Sequence, residues 1–152
     1  MNMMLKLTGA ALVAIAMHGQ ALAGETGSAA EAMAMVKKAG EYLKANGKEK
    51  AFAEFSNPKG SFKDRDLYIM VYDMNGINRA HGANPKLIGK DLIQLKDADG
   101  TFIVKSFVDL AKSKGKGWVD YKWPNPVSKA IEAKSTYVEK HDDVLIGAGI
   151  YK

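Results

Sequence analysis

The sequence contains no cysteine and none of the common catalytic motifs. Without a thiol among its 152 residues, the chain can form neither a cysteine nucleophile nor a disulfide, so its stability must come from a packed core. Its three histidines lack metal-ligand spacing, and no G-x-S-x-G, P-loop or dinucleotide glycine pattern occurs. We therefore expect a protein that is not an enzyme and that holds no metal or other cofactor.

A concentrated run of one charge is also lacking. The formal net charge is +5, with 22 lysines and arginines against 17 acidic residues, and the cations are spread along the chain. Nucleic-acid-binding proteins show a denser basic stripe or patch. We therefore expect no nucleic-acid partner and interpret most lysines as a solvated surface.

The first 23 residues differ in composition from the rest. They contain one cation, Lys6, then a run of apolar or small residues over 7–17, and then the small-x-small sequence of residues 21–23. This pattern is typical of a secretory signal peptide, and the apolar run is short for a membrane span. We expect residues 1–23 to be a cleaved signal peptide and the mature protein to be periplasmic; an uncleaved anchor is the alternative.

Two helices are predicted at the start of the mature chain. Across residues 28–46, apolar or small residues recur at helical spacing, namely Ala29, Met33, Val36, Gly40 and Leu43. Asn46 and Gly47 form a suitable C-terminal stop, and a second, short helix is predicted over residues 48–55. We assign residues 24–56 to an N-terminal helical segment and residues 57–152 to the main domain.

Five strands and one further helix are predicted in residues 57–152. The strands cover residues 66–73, 77–81, 118–123, 130–139 and 144–151, and the helix covers 101–114. Short links between the last three strands imply antiparallel pairing. The predicted fold class is α+β: a five-stranded antiparallel sheet with the N-terminal helix on one face and the loop–helix segment 82–114 over the other.

Aromatic and basic residues collect on these predicted strands. In the stretch GKGWVDYKWPNP, strand alternation puts Tyr121 and Trp123 on one face and Trp118 on the other. A buried carboxylate needs a cation and several hydrogen-bond donors, and tyrosine and tryptophan supply donors together with apolar walls. Ordinary core packing of the same side chains is the alternative interpretation.

Three segments, taken in order, resemble a known sensor family. They are DLYIMVYDMNGINRAHGANPKLIGKDL, LKDADGTFIVKSFVDLAKSKGKGWVDYKWPNP and KSTYVEKHDDVLIGAGIY. Over residues 51–151 the chain resembles a single Cache (sCache) domain of the bacterial extracytoplasmic type. The resemblance implies a PAS-like antiparallel sheet and a pocket for small metabolites, commonly short carboxylates such as acetate, pyruvate, propionate or lactate. By position it implies these ligand-binding residues: Tyr68, Met70, Arg79, His81, Trp118, Tyr121, Trp123 and Lys134.

The expected role follows from this resemblance. Many members continue into a transmembrane helix and cytoplasmic signalling helices, whereas this sequence stops just after its last predicted strand. We expect an exported, free-standing protein that binds a short carboxylate under the loop 82–91 and signals through a membrane receptor or histidine kinase. The alternative is a periplasmic interaction module that docks on such a partner without a ligand of its own. A homodimer through the N-terminal helix is a further expectation.

Overall fold

The structure, a computed structural model, describes residues 26–152, and the expected signal peptide lies outside the described residues. Its three α-helices are α1 (Ala29–Asn46), α2 (Lys48–Phe55) and α3 (Ile103–Ser113). The strands are β1 (Lys63–Asp64), β2 (Leu67–Tyr68), β3 (Met70–Asp73), β4 (Asn78–His81), β5 (Lys116–Pro124), β6 (Ile131–His141) and β7 (Val144–Tyr151). A short 3₁₀ helix covers Pro85–Leu87.

Five of the strands form one antiparallel sheet in the order β4-β3-β7-β6-β5. Helix α1 packs on one face, where it meets β6 and β7, and α3 packs on the other face against β5, β6 and β7. The predicted α+β fold is therefore confirmed. Its two hydrophobic clusters lie on opposite sides of the sheet, one beneath α1 and α2 and the other beneath α3.

Helix α1 begins at a capping box. The Ser28 side chain accepts from the backbone N–H of Glu31, whose carboxylate accepts from the Ser28 N–H, so two otherwise unpaired donors are satisfied. The predicted apolar face of this helix is partly wrong, because Ala29 and Met33 are exposed, Met33 by 44%. The buried residues lie about one position further round the helix, at Ala32, Val36, Ala39 and Gly40.

The strand predicted over residues 66–73 is divided. Strand β2 pairs with β1 in a separate two-stranded ladder, whereas β3 joins the main sheet, and Ile69 lies between them. A second irregularity shifts the β3–β4 register between Val71 and Tyr72. Such a shift breaks the two-residue alternation on which face assignments depend.

The turn between β1 and β2 holds the start of α1. The backbone N–H of Gly27 donates to Asp66 Oδ1 at 2.7 Å, and Arg65 donates to the Thr26 carbonyl at 3.1 Å and to Glu31 Oε1 at 2.7 Å. A side chain added at Gly27 would collide with Leu67, since its Cβ would come within 2.3 Å of the leucine Cγ. The beginning of the helix is thus fixed to the residues that immediately precede Tyr68.

No helix of residues 26–152 combines the length and apolar character that a membrane crossing requires.

Candidate functional site

A small cavity lies between the sheet and α3. The volume open to the centre of a water-sized sphere is about 10 Å³, which is roughly what one water molecule needs. Its walls come from β2, β3, β4 and β5 on the sheet side and from α3 and the segment before it on the other. The lining residues are Tyr68, Met70, Tyr72, His81, Leu95, Ile103, Val104, Phe107, Tyr121 and Trp123.

Strand geometry brings the aromatic side chains to this cavity. Met70 is paired with His81 across β3 and β4, so their side chains share a face, and the rings of Tyr68 and His81 lie 5.0 Å apart. On β5, Tyr121 and Trp123 share the face towards α3, with ring centroids 6.3 Å apart. Phe107 of α3 packs edge-on against Tyr121 at 5.4 Å.

Lys134 is buried beside the cavity without a carboxylate partner. Only 2% of the residue is exposed; its Nζ donates to the hydroxyls of Tyr68 at 2.8 Å and Tyr151 at 3.3 Å. It also lies over both phenol rings, 4.1 Å and 4.7 Å from their centroids. None of the ion pairs within residues 26–152 involves Lys134. Burial lowers the pKa of Lys134 to about 7, although the Asp66 carboxylate acts to raise it.

One glycine of β7 makes room for this lysine, and a second makes room for Met70. A Cβ at Gly149 would lie 2.4 Å from the Lys134 Cε and 2.3 Å from the Thr136 Oγ1, and one at Gly147 would lie 2.9 Å from the Met70 Cε. Carbon atoms do not approach this closely, so any larger residue at position 149 displaces the lysine side chain.

The phenols around Lys134 are linked to fixed acceptors. Tyr151 donates to the Pro124 carbonyl at 2.8 Å, and the hydroxyls of Tyr121 and Thr136 are 2.8 Å apart. Burial raises the pKa of Tyr68, Tyr121 and Tyr151 above the ordinary value. These hydroxyls therefore stay protonated. The Tyr151 proton is already donated to the Pro124 carbonyl, so of the two phenols that contact Lys134 it is Tyr68 that can donate to an anion.

His81 is a buried neutral imidazole. Its Nδ1 accepts from the backbone N–H groups of Ala83 and Asn84, at 3.2 and 2.9 Å. The proton of the neutral ring is then on Nε2, for which the described part of the chain offers no hydrogen-bond acceptor. Burial lowers the pKa of His81 to about 3, and the nearby Lys134 charge adds to this effect. His81 is thus a further donor at the cavity wall.

Two predicted site residues lie away from the cavity. Arg79 is next to the register shift, where its guanidinium pairs with Asp73 at 2.7 Å and its side chain is 45% exposed. Trp118 faces the α1 side of the sheet, is 38% exposed and packs against Tyr137 at 5.5 Å. The structure brings the other predicted residues together: Tyr68, Met70, His81, Tyr121 and Trp123 line the cavity, and Lys134 contacts Tyr68.

Several wall residues were not among the predicted site residues. Tyr72 shares the Met70 face, and strand alternation would have included it. Phe107 and Val104 lie on the buried face of α3, where helical periodicity cannot separate a cavity wall from ordinary core. Tyr151 reaches Lys134 because β6 pairs with β7, with Lys134 opposite Tyr151, a register that the sequence alone does not define.

The loop 82–91 contributes no lining residue; on that side the walls come from Leu95 and from three residues of α3. Closure of the loop over a ligand remains a prediction.

Two wider hollows of about 680 and 560 Å³ lie elsewhere on the surface, one between α1 and the β6–β7 turn and one beside Asp73. The first is lined largely by charged residues and the second by a mixture of charged, polar and apolar residues. We assign the site to the smaller cavity, because buried donors and Lys134 converge there. Residues 26–152 contain no cluster of three or more histidines, aspartates or glutamates that could hold a metal.

The sequence profile of the family described as "Single Cache domain 2" matches residues 6–152. The chain belongs to this family. Among curated proteins, it is similar to the methyl-accepting chemotaxis protein McpP of Pseudomonas putida, with 36% identity over 90 residues. It is also similar to the sensor histidine kinase MctS of Rhizobium johnstonii, with 32% identity over 89 residues. These matches cover 58% and 57% of the chain but only 16% and 19% of the two relatives.

Solved structures show the same Cache architecture. A methyl-accepting chemotaxis protein from Vibrio parahaemolyticus superposes with a TM-score of 0.71 at 27% identity, covering 80% of this chain and 86% of that one. A second structure, described as the "structural basis for carboxylic acid recognition by a Cache chemosensory domain", gives a TM-score of 0.69 at 29% identity, covering 80% and 91%. The chain is thus a Cache domain related to the sensor domains of chemoreceptors and histidine kinases.

Proposed function

We propose that this Cache domain binds a short carboxylate in the cavity beneath α3 and serves as the sensing part of a signalling system. The observation that carries the proposal is Lys134, a buried lysine that forms no ion pair within residues 26–152. A lone buried charge is costly, and an anionic ligand offsets that cost by pairing with it. Phenol and imidazole donors stand around the same point, as a carboxylate with several lone pairs requires.

The apolar part of the ligand would lie against α3. Ile103, Val104 and Phe107 line that side of the cavity and offer no side-chain hydrogen-bond donor. A molecule with a carboxylate at one end and one to three carbons at the other fits this division. The structure described in terms of carboxylic acid recognition, at 29% identity, supports the same ligand class.

A membrane-bound partner would receive the signal. The relatives are a chemotaxis receptor and a sensor kinase, so we propose that ligand occupancy is passed to a receptor or histidine kinase outside the cytoplasm. The apolar leader in residues 1–23 supports export of the protein. N-terminal sequencing of the exported protein would test cleavage after residue 23.

Thermal unfolding with and without acetate, propionate, pyruvate or lactate tests the binding proposal. At saturating concentration we expect at least one acid to raise the unfolding temperature, because a ligand that binds only the folded state stabilises it by mass action. Propionamide, which has the shape of propionate without its charge, should give no such shift. Calorimetric titration at about pH 6 then measures the affinity.

Two lysines on β6 provide a matched pair of variants. Lys134→Met should weaken acid binding by at least about 100-fold, since it removes the buried charge, whereas Lys140→Met, at an exposed position of the same strand, should leave it unchanged. Equal effects of the two substitutions, or no stabilisation by any of the four acids, would reject the proposal.

A further inference from the structure

The hydrogen bonds of Lys134 suit an uncharged amine better than an ammonium ion. An ammonium group has three N–H donors and no acceptor, but within residues 26–152 its Nζ finds only two acceptors, the hydroxyls of Tyr68 and Tyr151. Tyr151 uses its own proton on the Pro124 carbonyl, so towards Lys134 it accepts. The two acceptors thus match the two N–H groups of an amine, whereas the third donor of an ammonium group is left without a partner.

The charged and titratable groups around Lys134 do not compensate for its charge. On β2, β5 and β7 it meets the phenols of Tyr68, Tyr121 and Tyr151, whose pKa values burial raises, so they stay neutral. His81 on β4 is neutral above about pH 3, since burial lowers its pKa. The Lys63 charge helps to lower the pKa of His81, and the Glu132 charge helps to raise the pKa of Tyr151.

Within residues 26–152, the Asp66 carboxylate acts to raise the pKa of Lys134. It forms no ion pair with the lysine, and its Oδ1 accepts from the Gly27 N–H. Its Oδ2 is buried with no hydrogen-bond partner. Asp66 therefore stays bound to the start of α1 and leaves the lysine unpaired, and burial of the amine lowers the pKa of Lys134 to about 7.

We propose that the site takes up its acid together with a proton: above neutral pH the Lys134 side chain of the ligand-free protein is the uncharged amine, and binding converts it to the ammonium that pairs with the carboxylate. This inference rests on the proposed function. The proton comes from solvent, and no covalent bond to carbon is formed or broken. The bound pair has the same net composition as the neutral acid added to the neutral amine.

Proton-coupled binding makes affinity depend on pH. Above about pH 7 each further pH unit should weaken the apparent affinity by up to about tenfold, because a growing share of the protein must be protonated before the ion pair forms. Below about pH 6 the affinity should be nearly constant as long as the acid itself stays ionised. Such a domain responds to acidity as well as to acid concentration.

Calorimetric titration with propionate tests this, using pairs of buffers with different ionisation enthalpies at about pH 6 and about pH 8.5. We expect uptake of close to one proton per propionate at the higher pH and about a tenth of a proton at the lower. Lys140→Met should behave like the wild type. Propionate that binds at both pH values with no proton uptake at pH 8.5 would overturn the inference and leave carboxylate binding intact.

A second measurement does not depend on ligand binding. In protein labelled with carbon-13 at lysine Cε, the signal absent from Lys134→Met identifies Lys134. We expect the Lys134 signal to titrate near neutral pH without ligand, and we expect its titration midpoint to rise by more than about 2.5 pH units with saturating propionate, as uptake of nearly one proton at pH 8.5 requires. Titration of the Lys134 signal above about pH 9 without ligand would overturn the inference. It would also be overturned if the wild type takes up a proton on binding propionate, His81→Asn does not, and the Lys134 signal is the same in both proteins.

Discussion

At the scale of single residues, the proposed ligand anchor Lys134 depends on a glycine of the neighbouring strand. Lys134 is paired with Tyr151 of β7, and its side chain lies against Gly149 of the same strand, where a Cβ would be 2.4 Å from the lysine Cε. The glycine is needed for the space it leaves, since no positive φ is recorded at this position. The anchor and the space beside it thus form one unit.

Gly149→Ala should therefore impair binding without touching the lysine itself. The new methyl group collides with Thr136 and Lys134, so we expect a loss of about 1–3 kcal/mol in unfolding free energy and at least about tenfold weaker propionate binding. Urea unfolding and calorimetry measure the two effects. Wild-type affinity in a folded Gly149→Ala protein would show that Lys134 need not occupy its present position.

At the scale of secondary-structure elements, α3 forms the apolar wall of the cavity. Its buried face includes Val104, which lines the cavity, and Val108, which lies one turn further along and does not. Both valines are almost completely buried. The helix thus supplies a matched pair of positions that differ in whether they line the cavity.

Val104→Ala should shift the preference towards longer acids. Removal of two methyl groups lengthens the cavity, and burying one further CH₂ of the ligand is worth about 0.8 kcal/mol, so the affinity ratio of butyrate to propionate should rise about fourfold. Each of Val104→Ala and Val108→Ala should lower the free energy of unfolding by about 2 kcal/mol. Val108→Ala should leave the ratio of butyrate to propionate affinity unchanged. Equal ratios in both variants would show that α3 does not contact the acyl chain.

The elements themselves could be predicted more reliably than their exact faces. The range of β7 agrees with its prediction, and Tyr121 and Trp123 share a face opposite to Trp118 as alternation requires. Arg79 could not be placed, because the register shift beside it and the Asp73 carboxylate depend on pairing between strands. The roles of α3 and Tyr151 in the site likewise arise from tertiary packing that local patterns do not encode.

At the scale of the whole molecule, two buried bases tie stability to pH. Burial lowers the pKa of Lys134 from 10.5 to about 7 and that of His81 from 6.5 to about 3. In each interval the unfolded chain binds more protons than the folded one, so stability rises with pH there. Acidification from pH 10 to pH 7 therefore lowers stability through Lys134, and further acidification below pH 6.5 lowers it through His81.

Comparison of wild type with Lys134→Met isolates the contribution of Lys134 to the pH dependence of stability. The variant lacks the buried amine. The unfolding free energy of Lys134→Met minus that of the wild type should therefore be largest at pH 6 and smaller by roughly 2–3 kcal/mol at pH 9. Urea unfolding at both pH values measures this. Lys140→Met should parallel the wild type, and parallel curves for wild type and Lys134→Met would contradict the lysine assignment.

The small size of the cavity has a kinetic consequence. About 10 Å³ accommodates one water, whereas even acetate has four heavy atoms, so an acid occupies the site only after α3 or the segment before it has moved outward. The rate of that movement then sets an upper limit on the rate of association, and the free energy it requires is subtracted from the affinity. Under the proposed function, occupancy and outward displacement of α3 or of the segment before it are therefore one event, and a partner in contact with that wall can detect the acid without touching it.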